Sequence, residues 1–250
     1  MRLIASILMI VTCTMSFAQQ QITACYAEWY PYSYQENGQA SGFSIEIYKA
    51  VAKRSNLDIV FIHKPWERCK IDVTRGDVDA LVDGGLSVSN TLNAKRRPVP
   101  WVMVMWVKEK SLYQTFEGYS QFDGKIIMYV RGYAYPDEFV QYKGFEKLDT
   151  TTDIQGLKVL ESRSVDAFFG DIVSSTSLVE KHSLKVRPLS PAIKIRMLTL
   201  SFHQTLYKEH KRFETALEEM YQDGSIDAIY QKYLGVSYQT FMNKYSHVFE

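Results

Sequence analysis

Gly76-Asp77-Val78-Asp79-Ala80-Leu81-Val82-Asp83 and, further along the chain, Ser164-Val165-Asp166-Ala167-Phe168-Phe169-Gly170-Asp171 are two versions of one phrase. Each is a polar turn, then Val-Asp-Ala, then the start of an apolar strand, then an acid where that strand emerges. In an open α/β sheet, ligands bind in the crevice at the carboxyl ends of the strands. Two such units therefore predict two lobes, each aiming a strand end at a shared cleft.

The surrounding sequence repeats the same grammar. A strand over 21–27 ends at the aromatic turn Trp29-Tyr30-Pro31-Tyr32. Apolar residues at 43, 47, 48, 51 and 52 then make an amphipathic helix. A strand over 57–62, a helix over 66–74 and a buried strand over 79–82 complete a βαβαβ unit, which builds a parallel sheet with right-handed crossovers. A strand over 102–107 follows, and the pattern restarts. Strand 126–130, a helix around 136–142, a strand near 146–148, a helix over 152–160 and strand 167–169 form the second unit. After an apolar strand at 197–202 come only helices, 211–221 and 225–233, with glycines 224 and 235 at their ends. Helices without a sheet of their own must pack on an existing one. The chain thus crosses between lobes twice, near 101–105 and 193–197, giving lobe 1 from residues 19–103 plus 197–250 and lobe 2 from 104–196. Two crossings make a hinge.

Composition excludes several partners. Lys plus Arg number 29 against 28 Asp plus Glu, so no charge excess points to nucleic acid or to an anionic membrane. Aromatics reach 14%, a supply that suits a binding surface or a Tyr-rich core. Arg2, the apolar run 3–11 and the small residues of Ser16-Phe17-Ala18 read as a secretory signal peptide over 1–18, cut after Ala18. The expected location is the periplasm. Export leaves Cys25 and Cys69 in an oxidising compartment, where an even pair invites a disulfide; the alternative is two buried thiols.

The chain contains no Gly-x-Ser-x-Gly, dinucleotide-binding, P-loop or His-Glu-x-x-His motif, and its five histidines lack metal-ligand spacing. A carboxylate pair formed by Asp83 and Asp171 across the cleft stays open as an enzymatic alternative.

Pro31-Tyr32, Gly38 with Gly42-Phe43, Gly76-x-Val78-Asp79-Ala80, Val165-Asp166-Ala167 with Asp171, and the ending Asp223-Gly224 through Leu234-Gly235 resemble the bacterial extracellular solute-binding proteins of family 3. These are the polar amino acid receptors of ABC transporters, and Pro65-Trp66-x-Arg68 and Arg131-Gly132-Tyr133 look like a divergent branch. The resemblance implies a two-lobed periplasmic binding protein fold of type II. It implies a monomeric receptor without cofactor that hands an amino acid or related amine to an inner-membrane permease. A dehydratase-like enzyme and a stand-alone sensory protein use the same scaffold. The family's Thr-x-x-Arg, whose Arg clamps the ligand carboxylate, is out of register: counting from Thr91, its place holds Ala94.

Asp171 matches the family's acid for a ligand ammonium, with Gly170 leaving room for close approach; an N-cap for the following helix is the alternative. Trp29 and Tyr32 flank the turn where the family stacks an aromatic on its ligand, Trp29 being the expected exposed one. Arg68 offers a carboxylate fork, against a surface ion pair with Glu67 or Asp72. Arg131, Tyr133 and Tyr135 occupy a loop opening onto a helix start. Asp83 and Ser87 stand at the first lobe's strand end. Arg96 and Arg97 read as solvated loop charges.

Overall fold

The computed structural model describes residues 21–162 and 165–248, so the expected signal peptide lies outside the described residues. The first half runs β1 (Gln21–Tyr26), a hairpin of β2 (Tyr34–Glu36) and β3 (Gln39–Ser41), α1 (Phe43–Arg54), β4 (Asp58–His63), α2 (Trp66–Arg75), β5 (Ala80–Gly84), β6 (Thr91–Leu92) and β7 (Val99–Lys108). The second runs β8 (Ile126–Val130), α3 (Asp137–Gln141), β9 (Glu146–Thr150), α4 (Asp153–Ser162), β10 (Ala167–Asp171), α5 (Ile172–His182) and β11 (Val186–Pro188). The chain returns along β12 (Lys194–His203) and ends in α6 (Tyr207–Gln222), α7 (Ser225–Leu234) and α8 (Tyr238–Lys244).

The strands follow the order β4-β1-β5-β12-β7-β10-β8-β9. At each end lies a parallel group, β4-β1-β5 and β10-β8-β9. Between them every pairing is antiparallel. The fold is the two-lobed type II arrangement, its lobes joined by the two longest strands. Along β12, residues 199–202 pair with β5, while 194–198 pair with β7. Along β7, residues 99–103 face β12 and 103–106 face β10.

The repeated Val-Asp-Ala has a physical job in both halves. The Asp79 carboxylate accepts the Thr23 N–H and the Thr23 hydroxyl, each at 2.8 Å, while Asp79 N–H donates to Thr23 O at 3.0 Å. Asp166 does the same for β8, accepting Ile126 N–H at 2.9 Å and donating its own N–H to Ile126 O at 3.0 Å. Each Asp thus ties the entry of a central strand to the neighbouring parallel strand and fixes their register.

Gly42 precedes α1 at φ +116°, and a Cβ there would lie 2.4 Å from Tyr32 O, so only glycine permits the Tyr32 turn to close against the helix start. The terminal helices α6 and α7 both pack on α1. A further helix, α8, was not foreseen from sequence: it is a short segment whose Ser237 hydroxyl accepts the Thr240 N–H at 3.2 Å. No helix among the described residues is long and apolar enough to cross a membrane.

Cys25 in β1 and Cys69 in α2 are joined as a disulfide with a Cα–Cα distance of 5.5 Å. Both are fully buried, beside Val73 and Leu81. The bridge pins α2, and with it Trp66 and Lys70, to the first parallel sheet. It closes a loop between cysteines 44 positions apart, for which chain entropy predicts a stabilisation of about 4 kcal/mol, within a usual range of about 2–5 kcal/mol. Urea unfolding of the Cys25→Ser/Cys69→Ser variant is expected to show a loss of that size. A midpoint unchanged from wild type would contradict a structural role for the bridge.

Candidate functional site

A cavity of about 1140 Å³ lies between the halves. Its walls come from the turn after β1, the start of α2, the segment after β5, the crossing strands and the loop after β8. Trp29 lines it, buried to 8% exposure and stacked on Tyr32 with ring centroids 4.0 Å apart. Tyr32 is the core member of that pair. It is fully buried, does not line the cavity, and donates its hydroxyl to Pro100 O at 2.7 Å. The aromatic platform is therefore Trp29 alone, with Tyr32 holding it from behind.

Tyr133 is the hub of the aromatic wall. Its ring meets those of Trp29 and Trp66 at 6.3 Å and Trp101 at 5.6 Å, all edge to face. Its hydroxyl donates to Asp153 Oδ2 at 3.2 Å, which orients the ring from the second half. Across the mouth, Trp66 Nε1 and Lys70 Nζ both donate to Gly132 O at 3.0 Å. The start of α2 is thereby hydrogen-bonded to the loop after β8. Ser87 also lines the cavity.

Several expected ligand residues lie elsewhere. Asp171 is fully buried and does not line the cavity. Its Oδ1 accepts the Ser174 N–H at 2.6 Å as the N-cap of α5, and its Oδ2 accepts the Val102 N–H at 2.9 Å on β7. The expected ammonium contact is corrected: this carboxylate fastens a helix to a crossing strand. The room expected at Gly170 is taken up by Phe168, whose ring a Cβ would meet at 2.4 Å. Arg68 pairs with the buried Asp72 at 2.9 Å, together with Lys64 at 2.7 Å, and does not line the cavity. Arg131 pairs with Asp149 on the exposed side of its loop. Tyr135 is core: it donates to Phe169 O at 3.0 Å and accepts Val130 N–H at 3.0 Å.

Asp83 does line the cavity, at φ +55°, a left-handed conformation that aspartate tolerates better than most residues. Its side chain is engaged on the protein side, however. Oδ1 accepts the Tyr48 hydroxyl at 2.9 Å, Oδ2 is sealed from solvent without a hydrogen-bond partner, and the residue is 5% exposed. Asp83 and Asp171 thus do not form a carboxylate pair facing the cavity.

The residues that sequence reasoning missed are Trp66, Trp101, Lys70, Arg97 and Arg196, all in the wall. Trp101 and Arg196 were findable, because they sit on the strands expected to cross between lobes. Ala94, at the family's Arg position, is buried, whereas Arg97 reaches the cavity and donates to Met197 O at 3.4 Å. Arg96 also lines it and is paired with Glu218 at 2.8 Å. Among the described residues there is no cluster of side chains that would hold a metal ion.

Burial pushes the carboxyls of Asp83 and Asp171 up to about 7, and that of Asp153 up to about 6. Hydroxyls of Ser44, Tyr48 and Ser33 oppose the shift at Asp83, and the N–H groups of Ser174 and Val102 oppose it at Asp171.

Comparison with known proteins agrees with this geometry. The model for bacterial extracellular solute-binding proteins, family 3, matches residues 22–97, from β1 to Arg97. The probable amino-acid-binding protein YxeM of Bacillus subtilis (strain 168) is 22% identical over 219 residues, 82% of this chain and 80% of that protein. A histidine kinase sensor domain with similarity to periplasmic binding proteins superposes with a TM-score of 0.76 at 19% identity, covering 88% of this chain and 98% of that one. The arginine-, lysine-, histidine-binding protein ArtJ from Geobacillus stearothermophilus gives a TM-score of 0.70 at 16% identity, covering 87% and 96%.

A folded-state pKa raised above the unfolded value near 3.9 favours the protonated native state. The resulting stability is full below about pH 4 and is lost as pH rises through about 7. Urea unfolding of the ligand-free protein between pH 5 and 7 should show stability falling with pH, each such carboxyl contributing up to about 1.4 kcal/mol per pH unit. Asp83→Asn should flatten that slope by its share. An identical slope in the variant would mean that Asp83 is ionised throughout.

Proposed function

We propose that the chain is a family 3 solute-binding protein, whose family model matches residues 22–97, and that it is an exported receptor. It closes on a small polar solute of the amino acid class and presents it to an ABC-type permease of the inner membrane. In this reading the leader is removed after Ala18 and the mature monomer works in the periplasm. Residues 19–103 with 197–250 form lobe 1, residues 104–196 form lobe 2, and β7 with β12 flex between them. Trp29 and Ser87 contact the solute from lobe 1 and Tyr133 from lobe 2.

The observation that carries the proposal is a cavity walled from both sides of a two-strand crossing, with Trp66 and Lys70 hydrogen-bonded across its mouth to Gly132. A solute that touches both walls binds the closed form in preference to the open one. It therefore shifts the hinge equilibrium by the difference in affinity. A binding role needs no more chemistry than this. An enzyme on the same scaffold would also need a reactive group facing the cavity; Asp171 lies off its wall, and Asp83, on the wall, has Oδ1 engaged by the Tyr48 hydroxyl.

Three of the chain's four tryptophans, Trp29, Trp66 and Trp101, line the cavity, so binding is read directly from intrinsic fluorescence. Titration with a panel of amino acids, amines and organic acids should give a saturable change for at least one of them. Small-angle scattering should show the protein contracting with the same midpoint, and the recovered solute should have an unchanged mass. Trp29→Ala should weaken binding at least about fivefold, as truncation of a buried aromatic anchor costs more than about 1 kcal/mol. Chemical turnover of the solute, or saturation without contraction, would replace the receptor reading.

A further inference from the structure

We propose that the cleft takes a solute the size of a dipeptide, two amide-linked units with one apolar end on the aromatic wall and the other on α8. The proposal rests on the receptor reading and specifies the size and character of the solute.

The first observation is size. The cavity holds about 1140 Å³, above the range of about 300–1,000 Å³ usual for sites that enclose drug-sized ligands. Parted halves do not account for that volume, because Trp66 and Lys70 already bridge the mouth to Gly132 O at 3.0 Å. A free amino acid, with about ten non-hydrogen atoms, is well below drug size and would leave much of this space to water.

The second observation is that the wall has two apolar ends. Trp66 and Tyr133 are half-buried at the mouth, with the ring of Trp29 beside Tyr133. The other end is made by Met197 and Leu198 of β12 with Tyr238 and Met242 of α8, all half-buried. Tyr238 and Met242 lie one helical turn apart, so a single face of α8 presents both. The helix is fixed there from behind. Tyr238 N–H donates to Asp227 Oδ1 at 2.8 Å, and its ring meets those of Tyr221 and Tyr230 at 5.0 and 5.2 Å. Tyr230 in turn donates its hydroxyl to Pro98 O at 2.7 Å, at the foot of β7. Methionine is unbranched and adaptable, so this end selects for apolar character rather than for one shape.

The third observation concerns charge. Of the five cationic residues on the wall, four are engaged within the protein. Lys70 pairs with Glu67 and Arg96 with Glu218, both at 2.8 Å, while Arg97 donates to Met197 O at 3.4 Å and Arg196 to Ala134 O. Asp83, the one acid on the wall among the described residues, accepts the Tyr48 hydroxyl at 2.9 Å. What a solute gains on lengthening is therefore mainly contact with apolar surface. The exposed Ser87 hydroxyl of the wall can donate to or accept from its amide.

Fluorescence and calorimetric titrations of residues 19–250 test this with L-methionine, L-phenylalanine and L-glutamine, and with the dipeptides these three form. The tightest dipeptide should bind more than about tenfold more tightly than any free amino acid, the factor that about 1.4 kcal/mol of added apolar burial gives. Met242→Ala should weaken that dipeptide at least about fivefold. Met242→Lys, which sets a charge in the apolar end, should weaken it further. Chemical unfolding of each variant separates lost binding from lost fold.

A free amino acid, from this set or the wider panel, that binds within about tenfold of the tightest dipeptide would overturn the proposal and leave the receptor reading standing. Unchanged dipeptide affinity in folded Met242→Ala and Met242→Lys would do the same, since the solute would then not reach α8. No saturation by any dipeptide or any member of the wider panel up to about 10 mM, where even very weak sites fill, would count against both.

Discussion

Everything at the cleft depends on where two central strands begin. Asp79 and Asp166 each stand one residue before such a strand and clasp the backbone of the neighbouring parallel strand, at Thr23 and Ile126. A parallel pair that slipped by one residue would turn every side chain to the opposite face. With the register fixed, β5 and β10 end at equivalent places, so that Asp83 and Asp171 emerge at the same edge of their sheets. The repeat in the sequence is therefore a repeat of strand anchoring first, and of strand-end chemistry second.

The two strand ends then take on structural work. Asp171 joins α5 to β7 through one carboxylate, linking the helix that covers β10 to a strand of the hinge. A buried carboxylate costs several kcal/mol unless its oxygens are satisfied, and two backbone N–H groups at 2.6 and 2.9 Å supply that compensation. Asp83 has the Tyr48 hydroxyl and a sealed second oxygen. The disulfide adds a further restraint, holding α2 on β1 so that Trp66 and Lys70 stand opposite Gly132. One crossing strand, β7, is thus fastened at its flank to α5, while β12 changes partner from β7 to β5 along its length.

Most of the fold was legible because it was written in periodicity. The amphipathic spacing of α1, the paired βαβαβ units and the sheetless helical end all have local signatures, and α6 and α7 pack on α1. The short β11 and α8 escaped because neither carries a periodic apolar pattern; a strand of three residues and a helix of seven are held by their neighbours. Of the residues that line the cavity, Trp29, Asp83, Ser87 and Tyr133 were named from their place at or after a strand end. Arg68, Arg131, Tyr32, Tyr135 and Asp171 were named as well and do not line it. Arg68 takes the ion pair with Asp72 and Asp171 the N-cap, each already an alternative in the sequence, while distant partners claim the rest: Asp149 on the next strand, the carbonyl of Pro100, the carbonyl of Phe169, and for Asp171 also the amide of Val102. Whether a charged or phenolic group near a cleft turns into it depends on which protein partners claim it, and those are set by tertiary neighbours.

The same rule gives the out-of-register arginine its meaning. A clamp three residues before Arg97 would fall at Ala94, which faces the core beside helix α6. Arg97 instead precedes Pro98 and the start of β7, so its side chain leaves at the base of the hinge, beside Met197 of β12.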